Sequence, residues 1–334
     1  MYLSLFNMLF MSTLSAGTLL AVSSSSWFNA WAGLELNLLS FIPLIISNGT
    51  RYSSEAALKY FLIQALGSSL IIFSSSALLF SSNLFSIILA ASLLLKLGAA
   101  PFHFWFPQII EGMLWPQAAI LMTIQKVAPI FLLSYLMDYH NIFIIMLISS
   151  IMSAVVGAVG GVNQMSLRKI MAFSSINHMA WMLMASLISE YLVFFYFVFY
   201  CLMSLSVIMI FFLQQSFHFN HLINQSNLNP SMKVITFMSL LSLGGLPPFT
   251  GFFPKWILIQ EMVNFKLLYP LVILLISTLV TLYYYLRISI SFMNMSAIKL
   301  KPSVLQKKSF FLNMPMFLMM NMMGLMIPVF FIFY

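Results

Sequence analysis

What most constrains this chain is the recurrence of long apolar stretches, each about the length that crosses a bilayer. A membrane-crossing helix needs about 20 consecutive, mostly apolar residues. Residues 27–46, WFNAWAGLELNLLSFIPLII, carry a single charge, Glu35. The same template fits eleven times, at roughly 2–22, 27–46, 56–80, 84–101, 115–137, 141–161, 166–187, 190–213, 233–260, 266–290 and 310–334. The stretches 84–112 and 233–260 read as interrupted, because Gly and Pro cluster inside them. Only 214–232 and 291–309 make connections of any size, so one integral-membrane domain over 1–334 is expected, all-α, with about 11 transmembrane helices.

Composition supports this. Of 334 residues, 62% are hydrophobic and 6% charged, whereas a soluble surface needs about 25% charged residues. A soluble enzyme, a disordered protein and a nucleic-acid binder are excluded. The net charge of +8 reflects a shortage of acids, 6 Asp+Glu against 14 Lys+Arg. With Cys201 as its single cysteine, the chain has neither a disulfide framework nor the ligands for an iron–sulfur cluster of its own. The opening MYLSLFNMLFMSTLSAGTLLAV has no basic n-region and no Arg-rich amphipathic leader. The first segment is therefore expected to stay as a membrane helix.

Loop charge sets the orientation. With the N-terminus on side A, that side holds Arg51, Lys59, Arg168, Lys169, Lys233, Lys299, Lys301, Lys307 and Lys308. Side B holds Lys266 with the acids Asp138, Glu190 and Glu261. Basic loops stay where translation occurs, so side A faces the compartment of synthesis.

Five ionisable residues fall inside spans: Glu35, Lys96, Lys126, His178 and Lys255. Glu35 is about 12 Å deep, counted from Trp27. Lys59 and Arg287 are near enough to span ends to snorkel to the interface. Lys96 and Lys126 are too deep for that, and such charges cost at least roughly 2.5–3.5 kcal/mol each, which marks them as functional. Each lysine adjoins a predicted helix break: Pro101 after Lys96, Pro129 after Lys126, and Pro247, Pro248 and Pro254 before Lys255. Proline leaves the carbonyl four residues back without its donor, and broken helices are tolerated in membranes where they line a wet cavity. A desolvated ammonium yields its proton, and a nearby carboxylate restores it. Glu35, as the sole mid-span acid, is the natural partner of one lysine. His178 suits a proton relay, or it is a buried neutral imidazole bonded to Ser174 one turn back; the sequence leaves both open.

Other features carry less. His218 and His221 have metal-like spacing without further ligands nearby and read as solvated loop residues. Glu111 follows the first break and is expected at the side A surface. The 27 methionines, dense at 314–326, and the 34 phenylalanines read as packing and lipid-facing residues. No cofactor or metal site is read in the chain. It handles protons, not electrons.

Six segments, AWAGLELNLLSFIPL, EAALKYFLIQALGS, LLKLGAAPFHFWFP, TIQKVAPI, LRKIMAFSSINHMAWM and GGLPPFTGFFPKW, resemble the antiporter-like membrane subunits of proton-pumping NADH:ubiquinone oxidoreductase, respiratory complex I, and within them the mitochondrially encoded chain 2 group. The likeness runs from about residue 27 to 290. It implies two inverted five-helix repeats, each with a discontinuous helix near 96–101 and 244–255, the first repeat truncated. It also implies that Glu35 pairs with Lys96, that Lys126 is the central lysine of the proton path, and that Lys255 belongs to the second broken helix, with His178 at a polar position. The resemblance places FMN, iron–sulfur clusters and ubiquinone in other subunits. It implies chain 4 and chain 4L as neighbours in the mitochondrial inner membrane, with the N-terminus in the matrix and the C-terminus in the intermembrane space. The expected function is a proton-translocating subunit of that enzyme. A free-standing cation/proton antiporter is the alternative, and a structural spacer with vestigial charges the third reading.

Overall fold

A computed structural model describes residues 5–47, 49–78, 82–137, 140–224 and 230–294. The expected eleventh span, the Met-rich run, Asp138 and Lys299, Lys301, Lys307 and Lys308 lie outside the described residues. The described chain is helical throughout, apart from an isolated bridge between Ser166 and His218.

In order the helices are α1 (Leu5–Ser23), α2 (Trp27–Ile46), α3 (Arg51–Ala77), α4 (Ser82–Leu97), α5 (Trp105–Gly112), α6 (Trp115–Met122), α7 (Ile124–Ser134), α8 (His140–Val162), α9 (Leu167–Ser186), α10 (Glu190–Gln214), α11 (Phe219–Asn224), α12 (Pro230–Gly244), α13 (Phe252–Asn264) and α14 (Leu268–Asn294). Ten of the expected spans are met, with α4–α5, α6–α7 and α12–α13 each forming one interrupted passage. Ser26, Thr50 and Ser189 cap α2, α3 and α10 by accepting from the backbone N–H three residues on, satisfying a donor the helix leaves free. Serines within helices donate back to carbonyls one turn earlier, as Ser92 does to Leu89 and Ser150 to Leu147. A hydroxyl is thereby carried into an apolar layer without an orphaned donor.

The interruptions at α4 and α12 share one geometry. Each helix ends on a left-handed glycine, Gly98 (φ 69°) and Gly245 (φ 80°). In each, the next amide reaches back five residues, Ala99 to Leu94 and Leu246 to Leu241, while the glycine amide reaches back three. That is the Schellman termination, in which a residue without a Cβ turns the chain. Pro101, Pro247 and Pro248 lie in the loops that follow, as expected. Two other prolines do not break helices. Pro254 sits in the first turn of α13, where a missing N–H costs nothing. Pro129 lies inside α7, and the break falls at Thr123, whose Oγ1 donates to the Ala119 carbonyl.

The buried apolar residues form two clusters. One holds apolar residues of Leu38–Ile45 of α2, Trp115, Ala118 and Ile120–Met122 of α6, Leu167–Ile176 of α9 and Met203–Phe211 of α10. The other holds Ala30 and Leu34 of α2, Ala128–Leu133 of α7, Met179–Ala185 of α9 and Val193–Tyr200 of α10. They are two layers, one towards each membrane face. Side A is also a physical face: Arg168 donates to the Met113 carbonyl at 2.7 Å, Gln117 to Leu44 at 2.6 Å and Arg287 to Gln164 at 3.0 Å. All six residues lie at loops or helix ends assigned to one side by charge parity. On the other side, Tyr135 of the α7 end donates to Val22 of the α1 end at 3.4 Å.

The 214–232 connection is more than a loop. Residues 216–219 run as a strap across the start of α9, Leu167 N–H donating to Phe217 and Phe219 N–H to Met165. Trp115 Nε1 donates to Ser216 O at 3.0 Å and stacks on Phe217. His218 lies in this strap and His221 in α11 just after it, their rings 5.5 Å apart.

Candidate proton-transfer site

The two apolar layers part where the ionisable residues sit. Glu35 falls between Leu34 and Leu38, Lys126 between Met122 and Ala128, His178 between Ile176 and Met179, and Lys255 between Leu243 and Leu258. Lys96 is at the edge of its layer, in the last turn of α4. A sheet of polar groups thus bisects the core. Lys96, Lys126, Lys255 and His178 are 7%, 2%, 6% and 3% exposed, which rules out snorkelling for the three lysines.

At the first break, the end of α4 is held by side chains from elsewhere. Trp105 Nε1 donates to Leu95 O at 3.0 Å, and Gln64 Nε2 to Lys96 O at 3.3 Å. The Lys96 stem lies against Gly67 of α3, where an added Cβ would come 3.1 Å from its Cγ. Lys96 and Lys126 line one cavity of about 20 Å³, together with Asn37, Tyr60, Gln64 and Gln125. This is room for a single water molecule. Around it Tyr60 donates to Gln125 Oε1 at 3.3 Å, and Gln125 Nε2 to Asn37 O at 3.4 Å. Lys126 Nζ has no hydrogen-bond partner within the protein. It sits between the rings of Phe106 and Tyr200, at 4.9 and 5.3 Å from their centroids, where the π faces stabilise a cation.

Glu35 does not touch Lys96. Among the described residues the ion pairs within 4 Å are Lys59–Glu55 and Lys169–Glu111, each at 2.7 Å. Glu35 is half-buried on α2, its neighbours Leu34 and Asn37 lining the cavity, and its Oε2 is buried without a hydrogen-bond partner. The α2 residues that line the cavity beside Lys96 are Leu34 and Asn37 and not Glu35 itself.

At the second break, Lys255 Nζ donates to Gly244 O at 2.9 Å, the open carbonyl that the loop chemistry predicts. Both broken helices therefore hold an ammonium at a half-helix C-terminus, Lys96 in the last turn of α4 and Lys255 against the last residue of α12. The negative end of a helix dipole favours a cation there.

His178 resolves against its local partner. Ser174 donates to Met171 O, and His178 Nδ1 instead meets Tyr196 Oη at 3.0 Å. The ring also stands near Lys126 and Lys255 and packs 5.3 Å from the Tyr200 ring. The order across the seam is Lys96, cavity, Lys126, Tyr200, His178, Lys255.

Sequence reasoning missed Tyr60, Gln64, Gln125, Tyr196 and Tyr200. The only signal was a polar atom buried in an apolar helix, and tyrosine is ordinary in membrane proteins. Glu111, as expected, is partly exposed on side A, paired with Lys169.

A family model described as NADH:quinone oxidoreductase/Mrp antiporter, transmembrane, matches residues 24–281. The chain is 49% identical over 294 residues to NADH-ubiquinone oxidoreductase chain 2 of Anopheles gambiae, covering 85% of each chain. To the protein of that name from Locusta migratoria it is 39% identical over 298 residues, covering 87% of this chain and 86% of that one. To that from Mammuthus primigenius it is 39% identical over 291 residues, covering 84% and 83%. Among solved structures, a chain of respiratory complex I from Thermus thermophilus with bound aureothin superposes with a TM-score of 0.79 at 24% identity, over 90% of this chain and 74% of that one. A chain of the Mrp complex from Dietzia sp. gives a TM-score of 0.71 at 18% identity, over 83% and 58%. These two likenesses concern the fold alone.

Proposed function

From its membership of the NADH:quinone oxidoreductase/Mrp antiporter transmembrane family, we propose that this chain is a proton-translocating membrane-arm subunit of NADH:ubiquinone oxidoreductase. The observation that carries the reading is the seam: four ionisable side chains, nine-tenths or more buried, lie between two apolar layers, and two of them share a cavity. Buried charge is retained in a membrane where it moves ions or protons.

The residues divide the work. Lys96 and Lys126 exchange a proton across the polar cavity, with the Glu35 charge setting how firmly Lys96 holds it. His178 receives on the far side of Lys126, and Lys255, fastened to the α12 terminus, holds the proton at the second break. Electron transfer from NADH to ubiquinone takes place in other subunits, which hold FMN, the iron–sulfur clusters and the quinone. One cysteine cannot ligate a cluster, in keeping with that division. The flanks of the bundle expose long rows of apolar side chains, among them Leu58, Leu62, Leu66 and Phe73 on α3 and Ile144, Ile148, Val155 and Val159 on α8. They pack against neighbouring membrane subunits, chain 4 and chain 4L, and against lipid. The setting is the mitochondrial inner membrane, with side A and the N-terminus towards the matrix and the C-terminus in the intermembrane space.

The likeness to an Mrp chain keeps a second reading, a free-standing cation/proton antiporter. Mild-detergent purification from native membranes decides between them. Co-migration with flavin and iron–sulfur subunits is expected; a homogeneous particle exchanging Na⁺ or K⁺ for protons without NADH would establish the antiporter.

A further inference from the structure

Lys126 and His178 are both buried and neither touches the other. The side chains that fill the interval are Tyr200 and Tyr196, one turn apart on α10 and each 1% exposed. The Tyr200 ring lies 5.3 Å from Lys126 Nζ and 5.3 Å, centroid to centroid, from the His178 ring. Its hydroxyl is buried without a hydrogen-bond partner within the protein, as is Lys126 Nζ. Tyr196 then meets His178 Nδ1 at 3.0 Å. In the tautomer that carries its hydrogen on Nε2, Tyr196 donates and Nδ1 accepts. Two polar groups left unpaired in a dry core are costly, and a water between them would satisfy both.

We propose that Tyr200 and Tyr196 are proton-relay residues joining Lys126 to His178. This rests on the proton-translocation reading of the seam and adds the hydroxyl path within it. One N–H bond of the Lys126 ammonium breaks, and the proton passes through water to Tyr200. The Tyr200 hydroxyl proton moves on towards Tyr196 as the new one arrives. The Tyr196 O–H bond breaks as an N–H bond forms at His178 Nδ1. Lys126 ends as a neutral amine, His178 as imidazolium, and both phenols are restored. No electron moves.

The test uses the intact respiratory complex reconstituted in proteoliposomes, with proton flux measured per NADH oxidised. Tyr200→Phe keeps the ring, its contact with Lys126 and the packing, and removes the hydroxyl alone. Tyr196→Phe does the same one turn earlier. Each is expected to lower proton flux roughly 100-fold or more, the scale of a lost acid–base group. The double variant is expected to be no worse than either, because links in series fail together. Proton flux at the unmodified level in either single variant overturns the proposal. Lys126→Ala separates the two claims: if it pumps normally, the seam is not the path at all. If it is inactive while the tyrosine variants pump, only the hydroxyl relay falls.

Discussion

Gly244 and Gly245 are adjacent, and the structure assigns them opposite sensitivities. An alanine Cβ at Gly244 would meet Leu282 Cγ and Tyr285 Cδ2 at 3.7 Å, ordinary van der Waals contact. Inside a helix Ala is favoured over Gly by roughly 0.5–1 kcal/mol. A Cβ at Gly245 would come 2.8 Å from Lys255 Nζ, at φ +80°. Two costs follow. The left-handed conformation opposes a side chain by about 1–2 kcal/mol, which is a loss of fold stability. The displaced ammonium loses its 2.9 Å bond to Gly244 O, and a hydrogen bond from a charged group is worth about 1.5–3 kcal/mol. If the bound geometry is the transferring one, its occupancy falls by roughly 10- to 150-fold at about 1.4 kcal/mol per decade. NADH-driven proton uptake in proteoliposomes, followed by a pH-sensitive dye against an electron-transfer control, measures it. Gly245→Ala should lose at least tenfold in proton flux and Gly244→Ala should match the unmodified complex. Equal behaviour of the two variants, in either direction, would refute the claim that the α12 terminus works through its hold on Lys255.

Glu35→Gln and Lys96→Ala should each cut pumping while the complex still assembles, since neutral residues cost the membrane less than charges; blue-native gels and proton flux check both halves. Lys96→Arg, with a guanidinium that does not release its proton, should behave like the alanine variant. Pro101→Ala should leave the first break in place, because Gly98 and the Ala99–Leu94 bond already end α4 there; unchanged pumping is expected, and lost pumping would show that proline itself sets the cavity. Cysteines placed at Arg51 and Tyr191, both exposed, should react with impermeant maleimide from opposite faces, Arg51 from the side of synthesis; the reverse labelling would overturn the orientation.

The ten described spans were legible because a bilayer imposes one rule, about twenty apolar residues per crossing, that leaves its mark in the sequence directly. The breaks beside Lys96 and Lys255 were legible too, since glycine and proline are local signals. The reading erred where a local rule had a competitor. Pro129 drew attention from Thr123, where the helix actually parts. Ser174 was the nearest hydroxyl to His178 along its own helix, yet serine in a helix donates to its own preceding turn, leaving the imidazole to a tyrosine eighteen residues away. Glu35 and Lys96 stand on separate helices, and no spacing in one dimension encodes whether a pair touches. The shared cavity needs α2, α3, α4, α5, α6 and α7 at once.

The strap over the start of α9 bears on how the bundle can move. Trp115, Ser216, Phe217, Leu167 and Met165 fasten the entry to α6, the exit of α10 and the entry to α9 into one knot, and Arg168 adds the end of α5. A bundle clasped at one rim flexes like a pair of tongs, with its fulcrum at the clasp and its travel at the far rim. On that footing access to the seam is unequal: the clasped rim yields only at its side chains, while parting at the other rim has to break ties such as that of Tyr135 to Val22.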